Sequence, residues 1–451
     1  MDTRAQTADL IVSGRYLMPT WLQENVIFNG AIAVAGDTIV ETGSRSDLLA
    51  HFPEAQEIHE PHGLIMPGLI NTHTHAPMAC FRGFADDLPL MTWLQEHIFP
   101  VEAQLNNEIV FDSTLLSIIE MIKSGTTSFC DMYLFAKDVA RAAAKSGIRC
   151  WVGEVLYDFP SPSYGELQEG FRYVEEMFSE YVDHPLVSIT VDPHSVYTCS
   201  PSLLKQCHQL AQKHDSLYVI HLSESRDEVE NCRRQYGTTP VRHLDALGVL
   251  NNRTLAAHCV KLDKEEISLL SERQVHVSHC IESNMKLASG IAPVPELLEQ
   301  GVLVSIGTDG SGSNNDVDMF SEMSSVAKTH KAIILDPTTM DAETTLHAAT
   351  FGGAAALNAE SRIGTLIPGK KADLIVLDLN QPHLTPLYNL PSHLVYAARG
   401  ADVIHSIING RIIMENRVIK TLDESAIIMR MKEIGKKMVA MREAKQSPAD
   451  G

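Results

Sequence analysis

"LIMPGLINTHTHAPM", residues 64–78, is an apolar run that ends in two histidines separated by one residue, His73 and His75. In a β-strand, the side chains of residues i and i+2 point to the same face. A strand that ends here would therefore direct both imidazole rings to one point, as a metal site requires. Because the chain contains 20 histidines, such a pair is also expected by chance. The segments that follow along the chain distinguish the two interpretations.

Seven further short segments rich in apolar and β-branched residues follow the first one, and helical patterns lie between them. The eight segments are 65–72, 126–132, 148–156, 187–193, 217–222, 254–259, 275–280 and 302–308. Helical patterns such as "LLSIIEMIKSG" and "KDVARAAAKSG" end in Lys, Ser and Gly, as helix C-termini often do. Short buried strands that alternate with helices predict an α/β fold with a parallel sheet. Eight of them in this length predict a (β/α)8 TIM barrel.

The predicted strands end in residues that can bind metals or carry protons, which is where such barrels place their chemistry. Six of the eight end in histidine or an acidic residue: His73 and His75, His194, His221 with Glu224, His258, His279, and Asp309. Each histidine taken alone is typical of a structural histidine. Together they predict one site at the C-terminal end of the barrel.

Three imidazoles and one carboxylate are a suitable ligand set for Zn²⁺ and leave a position for water. Zinc lowers the pKa of bound water to near neutrality, so the pattern predicts hydrolytic chemistry. Glu224 follows His221 by three residues and is a candidate general acid or base beside the metal. Its alternative role is to start the helix in "SESRDEVE", because acidic residues are favoured at helix N-termini.

The composition indicates which classes of binding partner the protein is not suited to. The net charge of −21, from 36 basic and 57 acidic residues, argues against nucleic acid or an anionic membrane as partner. No apolar run reaches the ~20 residues that span a bilayer, and "MDTRAQTADLIVSGRYLM" does not resemble a secretory signal. Eight scattered cysteines without a C-x-x-C pair indicate reduced thiols. We therefore expect a soluble, cytoplasmic protein.

Two similar segments lie near the two chain ends. "IVSGRYLM" at 11–18 and "IINGRIIM" at 407–414 share the form I-[VI]-x-G-R-x-[LI]-M. They are either two unrelated hairpin strands or parts of one small β domain built from both ends. The last segment, "DESAIIMRMKEIGKKMVAMREA", has helical periodicity. It could pack on its own barrel or on a neighbouring subunit, which leaves a homo-oligomer open.

The ordered series "PGLINTHTH", "HLSE", "AHC", "SHCIESNMKL" and "GTDG" resembles the amidohydrolase superfamily over nearly the whole chain. "HAPMACFRGFADDLPLMTWL" and "SNMKLASGIAPV" are similar to its branch of 5-methylthioadenosine/S-adenosylhomocysteine deaminases, beside triazine hydrolases and guanine deaminase. The resemblance implies a metal-dependent barrel with a small β-sandwich. The implied limits are 1–64 and 369–420 for the two parts of the sandwich, 65–368 for the barrel and 421–451 for a C-terminal helix and tail.

The resemblance also implies a metal site. One Zn²⁺ per subunit would be held by His73, His75, His221 and Asp309. The strands offer no lysine at the position of a carboxylated bridging ligand, in keeping with one metal. Glu154 is an acid that leaves a second metal open.

The substrate implied by the resemblance is an adenine nucleoside, namely 5′-methylthioadenosine, S-adenosylhomocysteine or adenosine. Hydrolysis would give the inosine derivative and ammonia. His258 and Asp309 would orient the attacking water and accept its proton, while Glu224 would protonate the neighbouring ring nitrogen. Glu102 would bind the ribose hydroxyls, and His194 would contact the sugar.

The loop after the third strand departs from part of that branch. Some members have early arginines there that meet the carboxylate of S-adenosylhomocysteine, whereas "GEVLYDFPSPSYGELQEGFRY" has Glu154, Glu166 and only a late Arg172. An acidic loop would disfavour an anionic tail, so we expect methylthioadenosine or adenosine as the better substrate. The alternatives are an aminohydrolase acting on guanine, a pterin or an s-triazine, and a non-catalytic scaffold. The complete set of expected ligands disfavours the scaffold.

Overall fold

The computed structural model describes residues 7–446. Its strands in chain order are β1 (Leu10–Leu17), β2 (Ile27–Phe28), β3 (Gly30–Ala35), β4 (Thr38–Ser44), β5 (Gln56–Pro67), β6 (Leu69–Thr74), β7 (Thr126–Tyr133), β8 (Arg149–Leu156), β9 (Val187–Ile189), β10 (Asp192–Pro193), β11 (Tyr218–Leu222), β12 (Thr254–His258), β13 (His276–His279), β14 (Val304–Ile306), β15 (Leu374–Asp378), β16 (Val403–Ile408), β17 (Arg411–Glu415) and β18 (Val418–Ile419).

The α-helices are α1 (Arg45–His51), α2 (Leu90–Thr92), α3 (Phe99–Glu102), α4 (Asn107–Lys123), α5 (Ala136–Ser146), α6 (Leu167–Tyr181), α7 (Pro201–Lys213), α8 (Arg226–Tyr236), α9 (Pro240–Leu247), α10 (Lys264–Glu272), α11 (Ile281–Lys286), α12 (Val294–Glu299), α13 (Met319–Ile334), α14 (Ala342–Ala349), α15 (Phe351–Ala356), α16 (Leu390–Tyr396) and α17 (Glu424–Gln446). A π-helix, Trp93–Ile98, joins α2 to α3. Short 3₁₀ helices cover Gln23–Asn25, Ala76–Phe81, Pro382–Leu384 and Gly400–Asp402.

Both chain ends contribute to one nine-stranded sheet. Its order is β18-β17-β16-β15-β5-β1-β3-β4, with β2 paired to β1. Strand β15 lies antiparallel to β5, and Val376 and Ile65 are register partners within one buried apolar cluster. The prediction of a small β domain from both ends is therefore confirmed. The residue limits of the domains stay a prediction, since β5 continues in this sheet to Pro67.

The central part of the chain forms the predicted (β/α)8 barrel. Strands β6 to β10 and β11 to β14 form two parallel arcs, with β9 and β10 together filling the fourth position. Single bridges between Val191 and Tyr218 and between Thr74 and Asp309 close the two arcs on each other. Strands β7 and β8 are buried at every residue, as expected for the parallel sheet of a barrel whose two faces are both covered.

The C-terminal helix α17 packs against α4 on the outside of its own barrel. Ile434 and Met438 on this helix are buried in the main core cluster. The helix therefore packs on its own barrel, which is one of the two arrangements that its periodicity allowed. Within residues 7–446, no helix is both long enough and apolar enough to cross a membrane.

Candidate active site

The C-terminal ends of the barrel strands bring the predicted metal ligands together. Nε2 of His75 lies 3.2 Å from Nε2 of His221 and 3.2 Å from Oδ1 of Asp309. Nε2 of His73 lies 3.7 Å from the same carboxylate oxygen. Two overlapping groups, one of His73 with His75 and His221 and one of His73 with His258 and Asp309, have their ligand atoms within 4.8 Å of one another. The donors therefore converge on one small volume.

The chemistry of this volume fits a cation. His73 is 1% exposed, and among the described residues neither of its ring nitrogens has a hydrogen-bond partner. A buried imidazole without partners costs free energy, and a metal ion would remove that cost. Burial lowers the pKa of His73 and of His221 well below the usual value, so both rings are neutral and can offer lone pairs. Nitrogen and carboxylate donors in this number suit zinc.

Backbone carbonyls orient two of the imidazoles. Nδ1 of His75 donates to the carbonyl of Met132, and Nδ1 of His221 donates to the carbonyl of His194 at 2.9 Å. Because each Nδ1 carries the proton, each Nε2 presents its lone pair to the centre. Such pairing fixes both the tautomer and the direction of the ring.

The Asp309 carboxylate is held by hydroxyl groups that sequence reasoning did not single out. Its Oδ2 accepts from Ser283 at 2.6 Å and from Ser313 at 2.9 Å. Ser283 lies inside the motif "SHCIESNMKL" and Ser313 lies three residues after the motif "GTDG", so a closer analysis of these stretches could have found them. Asp309 itself has φ of 64°, and His258 has φ of 72°. Strained backbone of this kind is characteristic of functional sites.

Glu224 and His258 form a second buried pair next to the metal ligands. Oε2 of Glu224 lies 3.9 Å from Nε2 of His258. The side-chain amide of Asn284 lies 2.9 Å from Nδ1 of His258 and fixes the orientation of the ring. Burial raises the pKa of Glu224, which favours the protonated form that a general acid needs. Helix α8 is capped by Ser225, so capping does not account for Glu224.

A cavity of about 310 Å³ opens beside these groups and contains the two predicted sugar-binding residues. Glu102 on α3 lines it and accepts a hydrogen bond of 2.5 Å from the hydroxyl of Tyr133. Burial raises the pKa of Glu102. His194 also lines it, and burial lowers the pKa of His194 to about 3. Tyr133 gave no signal in the sequence, because it meets Glu102 only through the fold.

Two candidates lie away from the centre. Nε2 of His279 lies 3.1 Å from Nε2 of His330 on α13, and His279 belongs to neither donor group. The Glu154 carboxylate accepts from the backbone N–H of Ala136 at 2.7 Å and from Ser163 at 2.5 Å. Glu154 therefore ties two loops together, and the described residues give no support to a second metal there.

Residues 64–413 match the model of the amidohydrolase family. The chain belongs to this family. Residues 30–55 also match a bacterial imidazolonepropionase-like composite domain. Curated amidohydrolase relatives include the 5-methylthioadenosine/S-adenosylhomocysteine deaminase of Syntrophobacter fumaroxidans, 52% identical over 90% of this chain and 93% of its own. A deaminase of the same name from Syntrophus aciditrophicus is 45% identical over 94% of this chain and 95% of its own.

Solved amidohydrolase structures have the same fold. An adenosine deaminase from Xanthomonas campestris with bound zinc superposes with a TM-score of 0.94 at 39% identity, covering 96% of this chain and 99% of that one. Guanine deaminase from E. coli has a TM-score of 0.80 at 22% identity over 90% of this chain and 99% of that one, and shows the fold alone. The donor set of this amidohydrolase is of the kind that suits zinc.

Proposed function

We propose that this amidohydrolase is a zinc-dependent deaminase that converts an adenine nucleoside and water into the inosine derivative and ammonia. One observation carries the proposal: a single cavity is lined by three of the metal donors, the buried acid Glu224 and a second carboxylate, Glu102, at its side. The metal donors and Glu224 suit hydrolysis at a ring carbon, and the Glu102 carboxylate suits hydrogen bonds to the hydroxyls of a sugar. The names of the two curated relatives support the adenine nucleoside.

The ligands of the zinc are proposed to be His73, His75, His221 and Asp309. When bound, zinc supplies a Lewis acid that makes water nucleophilic at neutral pH. The chain supplies the side chains that hold the ion and the reactants in position. Strand ends fix the donors, and apolar side chains line much of the cavity beside them.

Proton transfers are assigned to three side chains. Asp309 and His258 orient the attacking water and accept its proton as the C6–O bond forms. Glu224, whose pKa burial raises, donates its proton to the ring nitrogen next to C6. The amino group then takes the proton that came from the attacking water, the C6–N bond breaks and ammonia leaves. The C6 hydroxyl gives its remaining proton to Glu224 as the C6=O bond of the product forms. The same strategy, a metal with a carboxylate that passes protons, serves nucleobase deaminases of another fold.

Recognition of the sugar is assigned to Glu102 and His194. One oxygen of Glu102 is engaged by Tyr133, so its other oxygen can accept a ribose hydroxyl. His194 is held through Nδ1 by Thr198 at 2.9 Å and lines the same cavity. Both groups can therefore contact a nucleoside whose base reaches the zinc.

The test is an ammonia-release assay on purified, zinc-loaded protein. The substrates are methylthioadenosine, S-adenosylhomocysteine, adenosine, guanine and melamine. We expect release from adenine nucleosides alone, and strongly reduced release from them with Glu224→Gln. Release from guanine or melamine instead would keep the hydrolytic chemistry and overturn the substrate.

Glu102→Gln separates a nucleoside from a bare heterocycle. Loss of the negative charge should raise KM for the nucleoside strongly, since a carboxylate accepts hydroxyl hydrogen bonds better than an amide. For guanine, a pterin or a triazine the same change should hardly matter. An unchanged KM for the nucleoside would remove Glu102 from the sugar site.

Two further expectations belong to this proposal. Composition and cysteine pattern support a cytoplasmic enzyme, and homo-oligomer formation stays open. Light scattering on the purified protein measures its oligomeric state, and cell fractionation tests whether it is cytoplasmic.

A further inference from the structure

The outer part of the cavity is lined by aromatic rings. Tyr157 and Phe159, in the loop after β8, stack with ring centroids 3.8 Å apart and planes 13° apart. Phe99 on α3 brings a third ring, 6.5 Å from that of Phe159. All three line the cavity, and Phe159 is 42% exposed although it is a large apolar residue. An exposed aromatic ring at a cavity entrance is available to contact a ligand.

Among the described residues, no lysine or arginine lines the cavity. From the sequence we expected acidic side chains of the loop after β8 to disfavour an anionic substrate tail, and this reason was wrong. Glu154 is turned into bonds with Ala136 and Ser163, and Glu166 lies at the start of α6, so neither carboxylate lines the cavity. The loop presents rings and prolines to the cavity instead, among them Pro162.

The position of these rings along a bound nucleoside follows from the proposed function. The zinc donors fix C6 of the base at the inner end, and Glu102 and His194 hold the ribose. The 5′ carbon lies on the side of the ribose away from the base edge that reacts. Phe99 is three residues before Glu102, so the aromatic group lies next to the sugar and toward the entrance.

The three rings suit one kind of 5′ group. A methylthio group ends in a methyl and gains free energy when rings remove it from water. The homocysteine arm of S-adenosylhomocysteine ends in an ammonium and a carboxylate. Burying these without partners of opposite charge is costly, and the lining offers the carboxylate no cation.

We propose that Phe99, Tyr157 and Phe159 form a 5′ subsite that selects adenine nucleosides with a short neutral 5′ substituent, methylthioadenosine above all, against S-adenosylhomocysteine. This inference rests on the proposed deaminase function. It assigns specificity to ring surfaces and to the lack of a cation at the cavity wall.

The experiment compares kcat/KM for methylthioadenosine, adenosine and S-adenosylhomocysteine on the zinc-loaded enzyme. We expect methylthioadenosine to exceed S-adenosylhomocysteine by at least about tenfold, and to exceed adenosine because a hydroxyl leaves the apolar subsite unfilled. Equal or better use of S-adenosylhomocysteine would overturn the inference and leave the deaminase function intact. Inactivity on all three would overturn the function itself.

Phe159→Arg places a cation where the homocysteine carboxylate would end. We expect the ratio of kcat/KM for S-adenosylhomocysteine to that for methylthioadenosine to rise about tenfold, the value of one charge-assisted hydrogen bond. Phe159→Leu is the matched control, because it keeps an apolar side chain and should keep the ratio low. Pro162→Arg, at an exposed position of the same loop, repeats the test if the first variant does not fold. An unchanged ratio in a folded arginine variant contradicts the proposal.

Discussion

Glu224 is the residue on which the proposed chemistry depends most directly. Its carboxyl is buried, lies 3.9 Å from Nε2 of His258, and has a raised pKa because of burial. Glu224→Gln keeps the shape and removes the proton donor. We expect kcat to fall roughly 10²–10⁴-fold, the usual contribution of general acid–base catalysis. Steady-state ammonia release measures the change.

Zinc content separates the proton-transfer role of Glu224 from a role in metal binding. Glu224 is outside both donor groups, so the variant should retain zinc at the wild-type ratio. His73→Ala is the comparison, and it should lose zinc and activity together. Loss of zinc from Glu224→Gln would show that Glu224 acts through the metal site instead of by proton transfer.

Tyr133 is expected to act on binding and not on chemistry. Its hydroxyl donates to Oε1 of Glu102 at 2.5 Å and so positions the proposed ribose acceptor. Tyr133→Phe should raise KM for the nucleoside roughly three- to tenfold, in line with one hydrogen bond, and leave kcat nearly unchanged. Tyr388→Phe, at a residue that is 87% exposed, is the control. A fall in kcat with constant KM would place Tyr133 in the reaction instead.

At the scale of the elements, the sequence predicted the barrel strands well because short segments rich in apolar and β-branched residues alternate with helical patterns. It also predicted that candidate metal-binding side chains at the strand ends meet in one place, because the carboxyl ends of all the strands lie at the same end of the barrel. Contacts formed by the folding of the loops could not be predicted from the sequence. The stacking of Tyr157 on Phe159 follows from how the loop after β8 folds over the cavity, and no periodicity encodes that. The same applies to Glu154, whose partners Ala136 and Ser163 became visible only in the fold.

One lysine ties three elements around the cavity. Nζ of Lys286, at the end of α11, bonds Oδ1 of Asp86 at 2.6 Å and Oδ1 of Asn315 at 2.5 Å. Asp86 precedes the 90–104 segment, which lines one side of the cavity, and Asn315 follows Asp309 in the loop after β14. Lys286 thereby holds the 90–104 segment against the loop that carries Asp309, a proposed metal ligand.

Lys286→Met should loosen the 90–104 segment. The pair with Asp86 is partly exposed and contributes at most about 1 kcal/mol, so we expect kcat/KM to fall about fivefold, mainly through KM. Limited proteolysis should cut within 82–106 faster than in the wild type. Lys328→Met, which removes a bond to Ser324 on the same helix, is the control. Equal cleavage rates in both variants would exclude Lys286 as a tether.

At the scale of the whole molecule, a buried ion pair joins the barrel to the small sheet. Arg149 begins β8, and its Nε donates to Oδ2 of Asp373 at 2.7 Å, just before β15. The other oxygen of Asp373 accepts from the backbone N–H of Asn409 at 2.7 Å. Arg149 and Asp373 are each 4% exposed. Because partners in both units satisfy one buried carboxylate, the two units should unfold together.

Asp373→Ala tests that coupling. It leaves the Arg149 guanidinium buried without its partner, which typically destabilises a protein by about 3–5 kcal/mol. The exposed pair of Lys371 and Asp37 provides the matched control, and Asp37→Ala should cost no more than about 1 kcal/mol. Urea unfolding followed by circular dichroism and by tryptophan fluorescence measures both. In the wild type the two signals should change in a single transition, because fluorescence reports on the surroundings of Trp21, Trp93 and Trp151 while circular dichroism reports on the whole chain. Separate transitions in the wild type, or equal losses in the two variants, would show that the barrel and the small sheet are stabilised independently of this ion pair.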